Sequence, residues 1–311
     1  MNVTWPGGHK FALTFCDDTD FATLDNVKPV YDLLDDLGWR TTKLVWVFRN
    51  GDAETSPGDT CEDPLYLDWL RSLQRKGFEI GLHNVSPASA SREEITRGLD
   101  RFEELFGAPP RLHCNHMMCL DNLYWGEDRL TGWRRRLYNR YTHGKRREIS
   151  QGHIEGSPYF WGDLIRQRTT YVRNFTFDDL NTLRRCPAMP YHDPTKPYVN
   201  FWFAATTASS PRYFKQIFSA AKIDRLVEEG GLCIAYAHFG ARFFHDNRID
   251  DYFRKMVEYI AARDPWVAPV SDVLDFLRRG EDPKARSLSP LGRQRLELRW
   301  MLGRFGKKVG I

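Results

Sequence analysis

Three polar clusters in this chain stand directly behind short apolar runs. Asp17-Asp18, with Thr19 and Asp20 following, stands behind residues 11–15, His83 behind 78–82, and His238 behind 231–237. Carboxylate and neutral imidazole bind Zn2+ and similar divalent ions, in sites that keep one position open for water. Such an ion acidifies water and polarises a carbonyl. A neighbouring carboxylate can then take a proton, and a histidine can give one to a leaving nitrogen. Each cluster also has a plainer reading. The acidic run would serve as a turn capping the next helix, His83 as a loop histidine, and His238 as a packed strand end. Their common position, repeated three times in order, favours the chemical reading.

The elements that would position these residues alternate along the chain. Apolar residues recur at helical spacing in Val27, Val30, Tyr31, Leu34 and Leu37, in Tyr66, Trp69, Leu70 and Leu73, and in Ile95, Leu99, Phe102 and Leu105, with Gly38, Gly77 and Gly107 as stops. Strands are predicted over 11–15, 44–48, 78–82, 111–115, 198–204, 231–237 and 266–270, and later helices over 213–227, 249–261 and 273–277. Between about 121 and 193 the periodicity blurs. That stretch is rich in Arg, Trp and Tyr and carries Arg134-Arg135-Arg136 and Lys145-Arg146-Arg147. It reads as a long loop-rich insertion whose basic patches are solvated faces or hold phosphate or an anionic glycan. Parallel strands need crossover helices. The repeated units therefore predict an α/β fold, a (β/α) barrel spanning 1–282. In such a barrel the carboxyl ends of the strands build the active face. From 283 onward the chain is basic, with Leu291, Leu298, Leu302 and Phe305 at helical spacing. We read a basic amphipathic C-terminal helix over 283–311 that packs on the barrel, or alternatively makes a peripheral contact with an anionic membrane surface.

The 311 residues are 41% hydrophobic and 14% aromatic, enough for a sizeable core, and their net charge of +4 is too mild to point to nucleic acid. The six cysteines form no C-x-x-C pair and several lie in apolar runs, which predicts reduced, packed thiols. No run reaches the ~18 apolar residues of a membrane span, and the first residues do not read as a signal segment. The expected location is cytoplasmic, with peripheral contact at the inner membrane as the alternative that the tail leaves open.

The run Leu13-Thr14-Phe15-Cys16-Asp17-Asp18 resembles the T-F-D-D-G motif of the polysaccharide deacetylases (NodB homology). Glu79-Ile80-Gly81-Leu82-His83 resembles their E-I-G-x-H segment, and 234–238 resembles the late strand ending in a catalytic histidine. Residues 266–273 resemble the closing strand and helix. The likeness runs over roughly residues 9–280, leaving the insertion unaccounted for. It implies a distorted seven-stranded barrel that removes acetyl or formyl groups from amino sugars with a divalent metal, Zn2+ being expected.

The departures shape the residue assignments. Cys16 stands where the family has its first Asp, the base, and Pro87 stands where it has a second ligand histidine. By this resemblance Asp17 is the expected base, His238 the acid, and Asp18 and His83 are metal ligands. The missing ligand is sought in His113-Cys114-Asn115-His116, where the family places its substrate-contacting motif. We favour His116 as ligand, with His113 able to exchange roles with it, and Asn115, Tyr124 and Trp125 as substrate contacts. The implied function is an N-deacylase of an amino-sugar glycan or of its lipid- or nucleotide-linked precursor, as in O-antigen or capsule assembly. The alternatives are a catalytically silent glycan-binding barrel and an amidase of the same fold acting on a small non-sugar amide.

Overall fold

In the computed structural model, which describes residues 3–49 and 57–305, seven parallel strands close into one barrel in chain order. They are β1 (Ala12–Asp17), β2 (Thr42–Val45), β3 (Glu79–Leu82), β4 (Leu112–His113), β5 (Tyr171–Phe177), β6 (Phe201–Thr207) and β7 (Leu232–Ala237). The longest register closes the barrel, with β1 paired to β7 from Ala12–Leu232 through Asp17–Ala237. The helices are α1 (Leu24–Asp36), α2 (Pro64–Arg75), α3 (Arg92–Phe106), α4 (Gly132–Tyr141), α5 (Gly162–Arg168), α6 (Thr182–Arg185), α7 (Pro211–Ile217), α8 (Ala220–Glu228), α9 (Asp251–Ala261), α10 (Val270–Arg278) and α11 (Pro290–Phe305). Among the described residues no helix is long and apolar enough to cross a membrane. All six cysteines are free and buried.

The helix limits follow local chemistry. In α3, Ser91 and Glu94 close a capping box, and Gly107 at φ 81° ends the helix in the left-handed region. The apolar stripes of α1, α2 and α3 are buried at the positions their spacing predicts, from Val27 to Leu105. The single helix predicted over 213–227 is two, because Ser219 accepts from the Lys222 amide and starts a second N-terminus.

Strand count and strand identity part company at two places. The predicted strand over 266–270 is reduced to one bridge between Trp266 and Ala12, and α10 already starts at Val270. The seventh strand is instead β5, inside the stretch that reads as insertion. Only part of that stretch, including α4 and its loops, is added to the barrel wall; β5 belongs to it. A register shift between Arg173 and Thr176 marks β5 as irregular, which blunts its sequence pattern.

The C-terminal segment packs on the barrel. α11 buries Leu296, Glu297, Trp300 and Met301, while Leu291 and Leu302 are exposed. The buried face is therefore displaced from the one its leucine spacing predicts. The displacement has a polar cause. Buried Glu297 accepts from Arg134 Nε at 2.5 Å and from Thr131 Oγ1, tying α11 to α4. Residues 306–311 of the predicted basic tail, Lys307 and Lys308 among them, lie outside the described residues.

Candidate active site

The alternation of β1 sorts its acidic end into two groups. Side chains of successive strand residues point to opposite faces, and the Asp18 amide extends the ladder by donating to Ala237 O. Phe15 and Asp17 face the helices. Phe15 packs against Phe253 of α9, and Asp17 accepts from Tyr31 of α1. Cys16 and Asp18 face the barrel interior, where Cys16 Sγ lies 3.7 Å from Cys114 Sγ and from an Arg173 nitrogen.

Asp17 is consequently taken out of the expected base position. It is fully buried, pairs with Lys43 Nζ at 2.8 Å, and accepts from Tyr31 and from the Phe239 amide at 2.7 Å. Lys43 is its register partner on β2 and equally buried. Burial works against the Lys43 charge, but the attraction of Asp17 outweighs it and keeps the ammonium protonated. This pair joins β1 to β2 and is not part of the lining of the cavity that holds Asp18 and Asp20.

Asp18, the expected ligand, lies with Oδ2 3.7 Å from His83 Nε2 but is engaged elsewhere. Both its oxygens are gripped by Arg173 of β5, at 2.7 and 2.5 Å. Burial alone would raise its pKa; Arg173 and His83 overcome that and hold the carboxyl well below the usual range. The residue that reaches the histidines is Asp20, two positions further on. Asp20 Oδ2 lies 3.0 Å from His83 Nε2, and Oδ1 lies 3.2 Å from His116 Nδ1. The two ring nitrogens are 3.2 Å apart.

This triad fits a divalent cation. Four ligands about 2.0–2.1 Å from a tetrahedral ion stand roughly 3.3 Å from one another. The observed contacts of 3.0–3.2 Å come close to that figure, with Asp20 presenting one oxygen to each histidine. His83 donates Nδ1–H to Cys114 O at 3.0 Å, which turns the Nε2 lone pair toward Asp20 and His116. Three electron-rich atoms thus converge at a buried point. Trp46, stacked along His83 and edge-on to His116, fixes both rings. Asn84, at φ 51°, accepts from the His116 amide and donates to Asp121 and Asn122, lacing the loops after β3 and β4. His116 therefore comes from the next strand, where Pro87 offers nothing.

His238 completes the ring. Its Nε2 is 3.4 Å from Asp20, 3.8 Å from Asp18 and 2.9 Å from Tyr236 Oη. Burial opposes its charge, but Asp18 and Asp20 outweigh burial and raise its pKa. His113, the expected exchange partner of His116, sits in the core edge-on to Trp161. Burial above all pushes its pKa down to about 3.

One cavity of about 310 Å3 collects these groups. Asp18, Asp20, His83, Asn115, His116, Arg173 and His238 line it, with Trp125, Tyr236 and Trp300 as aromatic walls. Of the expected substrate contacts, Asn115 and Trp125 are in this wall and Tyr124 is not. Tyr124 is buried, stacked on His153 at 4.1 Å. Asn115 spends both amide atoms on the Leu123 backbone, which shapes the loop behind it. Sequence reasoning missed the place of Asp20 beside the histidines, and missed Arg173 and Trp46. The parity of 18 and 20 and the β-forming run Tyr171–Phe177 were the available signals.

No family model and no curated protein matches the chain. Solved structures do. An allantoinase, PuuE, is 12% identical with a TM-score of 0.50, over 90% of this chain and 93% of its own. A Mycobacterium smegmatis protein named for polysaccharide deacetylation is 16% identical with a TM-score of 0.49, over 89% and 93%. A Pseudomonas aeruginosa PAO1 protein of the same naming is 14% identical with a TM-score of 0.48, over 90% and 94%. The chain shares the barrel fold of the allantoinase, here closed by seven parallel strands.

Proposed function

We propose that this protein is a hydrolase that removes an N-acyl group, acetyl or formyl, from an amino sugar. The observation that carries this reading is the convergence of Asp20, His83 and His116 beside an Arg173-held Asp18 and a protonatable His238, all lining one cavity. Asp20, His83 and His116 would hold the cation, which when bound would polarise the amide carbonyl and acidify water.

The chain's own groups supply the proton traffic. Asp18 is kept ionised by Arg173. A carboxylate offers about four lone-pair sites, so Asp18 retains acceptor capacity toward the cavity while paired. It takes the proton of the attacking water. As the carbonyl carbon gains oxygen and the C–N bond breaks, His238 gives a proton to the departing nitrogen, leaving an amine and a carboxylic acid. Tyr236 orients His238 through its hydroxyl. The sugar ring rests on Trp125 and Trp300, whose apolar faces suit its C–H surface. The modest cavity favours a single sugar unit, as in a glycan precursor or a chain end, over several units of a polymer.

The test is elemental analysis of the purified protein together with amine release from N-acetyl and N-formyl amino sugars, before and after chelation. Chelated protein should lose activity and regain it with added Zn2+ or Co2+. Undiminished turnover by metal-free protein would overturn the mechanism. Release from small non-sugar amides alone would reassign the substrate to that class.

A further inference from the structure

The same cavity carries charge that the chemistry above does not use. Arg129, in the 3-10 turn Gly126–Arg129, is 7% exposed and lies flat on Trp125, its guanidinium carbon 3.4 Å from the ring centroid. Among the described residues no carboxylate lies within ion-pair reach of it, and its buried Nε has no hydrogen-bond partner. Arg146 and Arg304 line the same cavity, and likewise no carboxylate among the described residues pairs with them. Arg146 donates to Met118 Sδ and Arg304 to Thr176 Oγ1. The two acids nearby are already engaged, Asp18 by Arg173 and Asp20 by the histidines.

A buried guanidinium without an acceptor is costly, and the cost is relieved by an anion that supplies oxygens in its plane. Burial, together with Arg304, Arg173 and Arg146, pushes the Arg129 pKa down to about 9. It nevertheless stays charged at neutral pH. A single carboxylate would answer one of the three cations, whereas a phosphoryl group brings two charges and several acceptor oxygens.

We propose that Arg129, Arg146 and Arg304 form a phosphoryl subsite, so that the substrate is an amino sugar carrying a phosphate or diphosphate. This rests on the N-deacylase reading of the same cavity. Trp125 and Trp300 line the same cavity against these arginines, so a sugar ring beside them would bring its phosphate to the subsite. Part of the subsite comes from α11 and part from the added loops after β4, so it is built by the segments outside the plain barrel.

Two measurements test it. Inorganic phosphate and pyrophosphate should raise the melting temperature of the metal-loaded protein. Arg129→Met should lose that shift, and His116→Ala should keep it, separating the subsite from phosphate bound at the cation. Arg129→Met alone should not melt below the native protein, since it removes an unpaired buried charge. The ratio of kcat/KM for a sugar phosphate over the matching neutral sugar should fall about tenfold to a hundredfold in Arg129→Met, the range for a charged hydrogen bond. Nucleotide-linked and lipid-linked sugar phosphates, run side by side, identify the source of the phosphoryl group. Equal phosphate protection of Arg129→Met, or no preference of the native protein for phosphorylated sugar, would overturn the subsite while leaving metal-dependent amine release intact. Absence of amine release from every substrate, with the phosphate shift still tied to Arg129, would instead sink the N-deacylase reading and leave an anion-binding cavity.

Discussion

Replacing Asp17 by Asn separates a structural carboxylate from a catalytic one. The Phe239 amide donates to Oδ1 and Tyr31 to Oδ2, so Asn keeps an oxygen for the Phe239 amide while its NH2 group, in place of Oδ2, can donate to the Tyr31 hydroxyl. What it loses is the charge that answers Lys43, whose ammonium is 2.8 Å away and fully buried. Stranding one member of a buried pair costs about 3–5 kcal/mol. An upper limit comes from the escape open to lysine. Shedding its proton at pH 7 costs about 4.6 kcal/mol, given an unperturbed pKa near 10.4. At roughly 2–4 °C per kcal/mol for a chain of this order of size, melting should fall by roughly 6–18 °C. The double variant Asp17→Asn with Lys43→Met removes the stranded charge and should recover most of the loss. Thermal and urea unfolding measure the stability terms, and amine release per folded molecule measures the chemistry. Folded Asp17→Asn should work within a few-fold of the native rate, while Asp18→Asn should lose about 10²–10⁴-fold, the usual contribution of a general base. An Asp17→Asn protein that is fully stable yet inactive would refute the reasoning and restore Asp17 as the base.

Asp20→Asn and His116→Ala should each reduce bound metal well below one equivalent by elemental analysis, and Asp18→Asn should not. Metal retained in full by Asp20→Asn would disprove the ligand set. At Gly240 a Cβ would fall 2.4 Å from the Ala22 amide nitrogen, forcing apart the loops that carry His238 and Asp20. Gly240→Ala should therefore cut kcat by roughly tenfold to a hundredfold, since misplacement by about 1 Å has that effect; an unchanged kcat would show that the loops relax without consequence. Glu297→Ala strands Arg134, which is 5% exposed, and should cost about 3–5 kcal/mol. If melting stays the same, α11 is not held by that pair.

Much of the barrel can be read from the chain because each strand–helix unit is locally amphipathic. Residues 11–15, 78–82 and 231–237 announce buried strands, and the helices between them show their stripes with glycine stops. Strand β5 hides because a register shift and three polar residues, Arg173, Asn174 and Thr176, interrupt its pattern. Those polar residues face functional or packed surroundings that no local rule anticipates. The α11 leucines mislead for a related reason: a buried Glu297–Arg134 pair, invisible to hydropathy, turns the helix about its axis.

By itself the sequence placed Asp17-Asp18, His83 and His238 at strand ends of a parallel barrel, and the resemblance, with Pro87 in place of a histidine, directed attention to the 113–116 segment. Only the tertiary structure decided which acid meets which partner. Parity along β1 sends Asp17 outward to Lys43 and turns Asp18 into the barrel. Arg173, from a strand more than 150 residues later, then occupies both Asp18 oxygens. That leaves Asp20 to meet His83 and His116. A carboxylate's role is set by which charges its neighbours bring within about 3 Å, and those neighbours arrive from distant strands whose register local sequence does not encode.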